Sequence, residues 1–297
     1  MKTIDWNPWR GCKTVSSGCI FCKYNGDNGY GDNGYGVYRN RRDFKLPIRK
    51  HRKNKNSEKY EMEYNIESGT IINVCTESDF FISEADFMRK EAWDIIHQRK
   101  DCLFHIITRR PERVSLSLPE LWLGGWDNVM ISVAVEDNIT AWKMIPYLIN
   151  LCDKGLKHMG IIAYPMTELI DFRPFLSSGF IEHLWIGGES YIGYRGLART
   201  FELCWVDDIK QQCEEYDVDF KFITTGSRLR TYNGNIIGVR KDDQEELAKF
   251  YSRNDKISID SIYNNWQDTI EIRELQLRAE EAYKIFSKLK DMEKENG

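Results

Sequence analysis

From Thr70 onward, short β-branched or apolar runs alternate with stretches whose apolar residues recur at three and four positions, and this alternation constrains the fold more than any other feature. Candidate strands are 71–75, 103–108, 129–135, 158–163, 183–186 and 219–223, and candidate helices are 84–98, 138–148 and 201–216. Strands alternating with helices point to parallel βαβ units, because a parallel neighbour is reached only by a crossover long enough to hold a helix. With a short strand at 3–6 added, the expected fold is α/β, a barrel or partial barrel of about six to eight strands with functional residues at their carboxyl ends. After 241 the pattern changes. Residues 266–294 are charged, and Ile270, Ile272, Leu275, Leu277 and Ala282 give them a partly apolar face, which predicts a C-terminal helix packed on the barrel or meeting a second copy. The expected organisation is a barrel domain over 1–240, with a Gly-rich and basic insertion at 24–69, and a helical extension over 241–297. A chain of 297 residues with 41% apolar content can bury such a core.

Cys12, Cys19 and Cys22 share one short loop, Gly11-Cys-Lys-Thr-Val-Ser-Ser-Gly-Cys-Ile-Phe-Cys22. Thiolates so close together fit one metal centre, and soft sulfur suits zinc, copper(I) or an iron-sulfur cluster. No fourth ligand lies nearby; the next cysteine or histidine residues are His51 and Cys75. Structural zinc wants four protein ligands, whereas three thiolates leave one iron of a four-iron cluster open for chemistry. The other cysteines, Cys75, Cys102, Cys152, Cys204 and Cys213, read as core packing, with Cys75 the leading exception. No apolar stretch opens the sequence and no run approaches a membrane span, so a cytoplasmic protein with reduced thiols and no membrane contact is expected. A formal net charge of -4 leaves any nucleic-acid partner to a local patch.

The strand ends carry polar residues foreign to a core: Cys75-Thr-Glu-Ser-Asp79, Thr108-Arg109-Arg110-Pro111, Val135-Glu136-Asp137-Asn138 and Gly187-Gly188-Glu189-Ser190. Repeated at the same end of successive strands, they suggest a ligand pocket. Helix capping is the competing reading, above all for Ser83, Asp137 and Asn138. For Gly187-Gly188-Glu189 binding is favoured, because paired glycines let backbone approach a ligand. The tandem Gly26-Asp-Asn-Gly-Tyr30 and Gly31-Asp-Asn-Gly-Tyr35 reads as a surface loop rather than a calcium site. Beyond it, Arg39, Arg41, Arg42, Lys45, Arg49, Lys50, Arg52, Lys53 and Lys55 face a single acid, Asp43. Such a run tracks a phosphate backbone or is merely solvated.

Cys19-Ile20-Phe21-Cys22 resembles the second half of the radical S-adenosylmethionine (SAM) signature, although the interval from Cys12 to Cys19 is longer than usual. More broadly, the chain resembles a phage and prophage family of unknown function with a three-cysteine motif, thought to be radical SAM-like. The resembling stretches are Trp6 to Cys19, Cys75 to Phe81, Ile106 to Arg113, Val133 to Asn138 and Ile186 to Ser190, with a weaker match near Gly226. The chain departs from that family at Ala163-Tyr-Pro-Met166, which lacks a usual carboxylate, and at Phe222-Ile-Thr-Thr-Gly226, which lacks a usual lysine.

The resemblance implies a radical SAM-like partial or full (β/α) barrel, phage- or prophage-encoded, with a [4Fe-4S] cluster on Cys12, Cys19 and Cys22. It implies SAM on the open iron and a reductant such as flavodoxin or ferredoxin. Candidate SAM contacts are Glu77, Ser78 and Asp79 for the ammonium and ribose, Arg109 or Arg110 for the carboxylate, with Thr108, Glu136 and Gly187 to Ser190 beside them. Phe21 is a candidate for packing near the adenine. The basic run is the one hint of substrate: a solvated loop is its commoner outcome, and the sharper reading is a nucleic acid or nucleotide held by Arg39, Arg41, Arg42, Arg49, Lys50, Arg52 and Lys53. Two alternatives remain: a non-catalytic nucleic-acid binder with a structural zinc or iron-sulfur site, and a relative that keeps the cluster without turnover.

Overall fold

The structure, a computed structural model, describes residues 2–22, 24, 36–52, 62–190 and 198–252. Seven strands form one sheet: β1 (Thr3–Trp6), β2 (Ile71–Val74), β3 (Leu103–Thr108), β4 (Val129–Val135), β5 (His158–Ala163), β6 (Ile181–Gly187) and β7 (Asp219–Thr224). Their order in space is their order in the chain. The registers are parallel where β1 meets β2, β2 meets β3 and β3 meets β4, with Thr3 opposite Ile71, Ile71 opposite Leu103 and Phe104 opposite Val129. The crossover helices are α1 (Asp86–Gln98) between β2 and β3, α2 (Asn138–Ile149) between β4 and β5, and α3 (Cys204–Glu215) between β6 and β7. β4, Val-Met-Ile-Ser-Val-Ala-Val, is buried at every position but Met130, which is why it reads as an unbroken apolar run rather than an alternation. β1 and β7 are the edges of a linear order, so among the described residues the sheet is open rather than closed into a ring. No helix among these residues is long and apolar enough to cross a membrane.

Short pieces escaped the periodicity because two or three residues carry no period. Trp9–Arg10 pairs antiparallel with Tyr38–Arg39, and Lys50–Arg52 with Met62–Tyr64. Phe201–Glu202, expected at the head of a helix, is instead a strand on Arg228–Arg230, and α3 starts later at Cys204. The Phe201 ring is stacked on Phe222 with centroids 5.1 Å apart, which holds it in the core. Cys75, Cys102 and Cys213 are buried as core packing requires, whereas Cys204 is exposed and Cys152 half-buried, correcting that expectation for both. The helix α4 (Lys241–Ser252) opens the expected C-terminal extension; the helix expected at 266–294 and the tandem at 26–35 lie outside the described residues.

The chain divides into two compact units. The first holds Met1–Val135, Ile139–Ile162 and Arg173–His183. Its core packs Trp9 on Phe80 at 5.2 Å and Phe80 edge-on to Trp93 at 4.9 Å. A polar row is buried within it, with His105 of β3 2.7 Å from the Ser132 hydroxyl of β4 and His183 of β6 2.9 Å from the same oxygen. Gly160 of β5 makes room for that row, since a Cβ there would stand 2.0 Å from the His183 ring. The second unit holds Glu136–Asn138, Ala163–Phe172 and Leu184–Gly297.

Candidate metal centre

The cysteine loop follows directly from the first strand of the sheet. After Trp9–Arg10 the backbone turns at Gly11, whose φ of +85° and whose close approach to Gly36 (a Cβ would meet its carbonyl oxygen at 2.9 Å) leave room only for glycine. The loop is closed by the Cys12 amide donating to the Tyr24 carbonyl at 3.0 Å. Within it, Ser17–Cys19 forms a 3-10 turn, and the Cys22 amide donates to the Cys19 carbonyl at 3.2 Å. One closed loop therefore presents all three thiols, with Cys19 buried and Cys12 and Cys22 half-buried. Phe21 lies between the last two and is half-buried.

The segment after β2 grips this loop from one side. The Ser78 hydroxyl donates to the Gly11 carbonyl, the Trp9 indole donates to the Asp79 carbonyl at 3.2 Å, and Glu77 pairs with Arg10 at 2.7 Å. Asp79 is the hub. Its Oδ1 accepts from the Thr108 hydroxyl at 2.9 Å and the Phe81 amide at 2.8 Å; its Oδ2 accepts from the Arg109 amide at 2.9 Å and Arg110 Nη1 at 3.1 Å. Arg110 in turn donates through Nη1 to the Cys12 sulfur at 3.8 Å and through Nη2 to the Lys13 carbonyl at 2.9 Å. Arg109 reaches the other half of the loop: its guanidinium donates to the Ser16 hydroxyl at 3.3 Å and lies against Gly18, where a Cβ would stand 2.9 Å away. Residues singled out as SAM contacts thus serve, in this structure, as anchors for the cysteine loop.

The electrostatics of the thiols follow from this setting. Burial, with Asp79 next, pushes the Cys12 thiol up to about 11, while Arg110 pulls the other way through its charge and its N–H. Without a metal, Cys12 is a neutral thiol at physiological pH, so metal binding there releases a proton. Cys75, at the end of β2 with φ +60°, is fully buried and pushed well above the usual thiol range by burial, then by Asp79 and Cys12. A fourth thiol therefore stands in the field of Cys12, at the end of the strand that pairs with β1.

Among the described residues no three His, Cys, Asp or Glu side chains gather tightly enough to hold a single metal ion. A cluster places each thiolate on a different iron, so its ligands stand apart where those of one zinc ion crowd together. The donors present, three thiols in one closed loop with a cation against Cys12, fit a thiolate-held cluster.

The remaining strand-end residues are in the second unit. Glu136 is fully buried and its carbonyl accepts from the Thr167 amide at 2.8 Å. At the start of α2 the Glu168 carboxylate accepts from the Asn138 amide at 2.7 Å, while Ser83 makes no capping bond and donates to Glu84 at 2.9 Å. Glu189 is buried and accepts from the Arg199 amide at 2.9 Å and its Nε at 3.0 Å. Ser190 donates to Gln244 at 2.6 Å. The expected close approach at Gly187 and Gly188 is real, but its object is the chain itself: a Cβ on Gly188 would meet the Thr225 carbonyl oxygen at 2.3 Å, and one on Gly187 would meet Ile223 and Thr224 at 2.9 Å.

The basic segment is partly neutralised. Arg39 pairs with Glu91 at 2.7 Å and covers the Phe44 ring, and Arg49 faces Asp43 at 3.8 Å. Lys50 lies over Tyr64, Arg52 is half-buried, and Arg41, Arg42 and Lys45 are exposed. Lys53 and Lys55 lie outside the described residues. No curated protein and no solved structure matches the chain. The profile of one family, described as a protein of unknown function (DUF5131), matches residues 2–273, a span that contains the cysteine loop and every strand of the sheet, and the chain belongs to that family.

Proposed function

We propose that this protein is a radical SAM-like iron-sulfur enzyme, with Cys12, Cys19 and Cys22 as the ligands of a [4Fe-4S] cluster. The observation that carries this reading is the closed loop that presents three thiols, beside a strand-end segment that holds it. Cys19-Ile20-Phe21-Cys22 supports it from the sequence. When bound, the cluster and SAM supply one-electron cleavage of the sulfonium to a 5′-deoxyadenosyl radical that takes a hydrogen atom from substrate, and the protein's part is binding, orientation and exclusion of water. Here Asp79, Arg109 and Arg110 shape the loop, while Cys19 keeps one thiol away from solvent. Contacts to SAM fall to groups such as Phe21, half-buried between two of the cysteines.

Nucleic acid or nucleotide is the substrate class this reading favours, on the strength of the exposed cations Arg41, Arg42, Lys45 and Lys50. Binding of a labelled oligonucleotide should then weaken steeply with salt, and salt-independent binding would exclude these residues as phosphate contacts. For the chemistry, protein reconstituted anaerobically with iron and sulfide should be brown and should release 5′-deoxyadenosine from SAM with dithionite. Cys19→Ala should do neither. Colourless protein that retains one zinc refutes the proposal.

A further inference from the structure

We propose that Arg110 and Asp79 form a charge couple that sets the reduction potential of the cluster on Cys12, with Arg110 raising it and Asp79 lowering it. The inference rests on the cluster reading above and extends it to how that centre is tuned. Geometry singles out the couple. Arg110 touches a ligand sulfur directly, at 3.8 Å, and the neighbouring carbonyl of Lys13 at 2.9 Å, so its guanidinium is fixed relative to the loop at two points. Asp79 accepts at 3.1 Å from the same Nη1 that faces the sulfur, and is itself locked by the Thr108 hydroxyl and the amides of Phe81 and Arg109. The side chains of Asp79 and Arg110 keep only 5% and 11% of their exposure, so water screens neither charge well.

The chemistry of the effect is general. Reducing a cluster adds one negative charge, and hydrogen bonds to its sulfurs and nearby charges decide how readily that charge is accepted. A cation donating to a ligand sulfur favours the reduced form, and a carboxylate at short range opposes it. Here the two sit together, so the loop feels a balanced couple rather than a net charge. That balance lets a buried cation touch a thiolate without making the centre easy to reduce.

The test is an EPR-monitored redox titration of the anaerobically reconstituted full chain, with iron and sulfide counted in each sample. Arg110→Gln keeps an N–H for the loop but removes the cation, and should lower the midpoint. Asp79→Asn removes the anion, and should raise it. Each change should alter the reduced-to-oxidised ratio at fixed poise about tenfold, which is about 59 mV for one electron. Arg110→Lys, which keeps the charge, should stay within about threefold of the wild type, or about 28 mV at that conversion. The double variant should return towards the wild-type value. A residue that merely supports the loop would shift both single variants in one direction or not at all, and that result overturns the proposal while the cluster reading stands. If the wild type takes up no iron and sulfide, the cluster reading fails as well, so the two failures are told apart by the metal count.

Discussion

Asp79→Asn discriminates most sharply between an anchor and a ligand. As a spare carboxylate waiting for SAM, Asp79 should be replaceable at little cost to the apo-protein. As the hub seen here it should not be. Asn keeps one acceptor for the Thr108 hydroxyl and the Phe81 amide, but its NH2 then faces the Arg109 amide and Arg110 Nη1, donor against donor. The Arg110 guanidinium, with 11% of its side chain exposed, loses its ion pair with the Asp79 carboxylate. Breaking a buried pair by removing one partner costs about 3–5 kcal/mol, because the charge left behind is uncompensated. At about 2–3 °C per kcal/mol for a chain of this size, Tm should fall by roughly 6–15 °C. Urea unfolding of metal-free protein in reductant, followed by tryptophan fluorescence, gives the free energy directly. Adding Arg110→Met to Asp79→Asn should recover part of the loss, since it removes the uncompensated cation while the Asn oxygen still accepts from the Thr108 hydroxyl and the Phe81 amide. If Asp79→Asn unfolds within about 1 kcal/mol of the wild type, below the range for a broken buried pair, the anchoring role is refuted.

Four other substitutions test the packing. His105 is held near 3 by burial and then by His183, so below its ordinary 6.5 the unfolded chain takes a proton that the folded chain refuses. Its contribution is therefore complete above about pH 6.5 and shrinks as pH falls towards 3; between pH 7 and 5 the loss should be about 2 kcal/mol, at about 1.36 per unit. His105→Gln should flatten that slope in urea titrations at pH 5, 6 and 7. Gly160→Ala puts a methyl 2.0 Å from the His183 ring and should cost about 2–5 kcal/mol through overpacking and loss of the Ser132 bond, most of it restored by adding His183→Ala. Gly226→Ala, at φ +72° with the Gly188 carbonyl carbon 2.5 Å from the new Cβ, should cost about 2–4 kcal/mol by thermal melting, and Gly234→Ala, with open space around it, only its αL strain of about 1–2.

The sheet was legible because its signal is local. Five of the six strands expected after Thr70 end within one residue of where the structure ends them, since β-branched runs bounded by turns leave little choice. The sixth, β6, starts two residues earlier than its apolar run suggests, because Ile181 is buried on the far side of the exposed Glu182. The pairs of residues at Trp9 and Tyr38 were not legible, because what makes them strands is a partner in another part of the chain. The cysteine loop was legible for the opposite reason: its three cysteines are neighbours in sequence, and a glycine turn with one closing hydrogen bond puts them in one loop.

Polar strand ends are a harder case, because sequence shows that a charged group is present without showing what meets it. Glu77, Ser78, Asp79, Arg109 and Arg110 have the residue types that would recognise an amino acid's ammonium and carboxylate, and the same types hold a loop together. What decides between the roles is how many hydrogen-bonding positions remain once the chain has folded. For Asp79 four donors already point at two oxygens. Glycine misleads in the same way. Gly188 does mark a close approach, but the backbone it admits is that of Thr225 rather than a ligand's. In both cases the residue type correctly reported a crowded or charged contact and left its partner open, and the partner came from β3 for Asp79 and from the turn after β7 for Gly188. A search for ligand-binding groups in this family is therefore better aimed at polar side chains with donors or acceptors to spare than at those with the most suggestive chemistry.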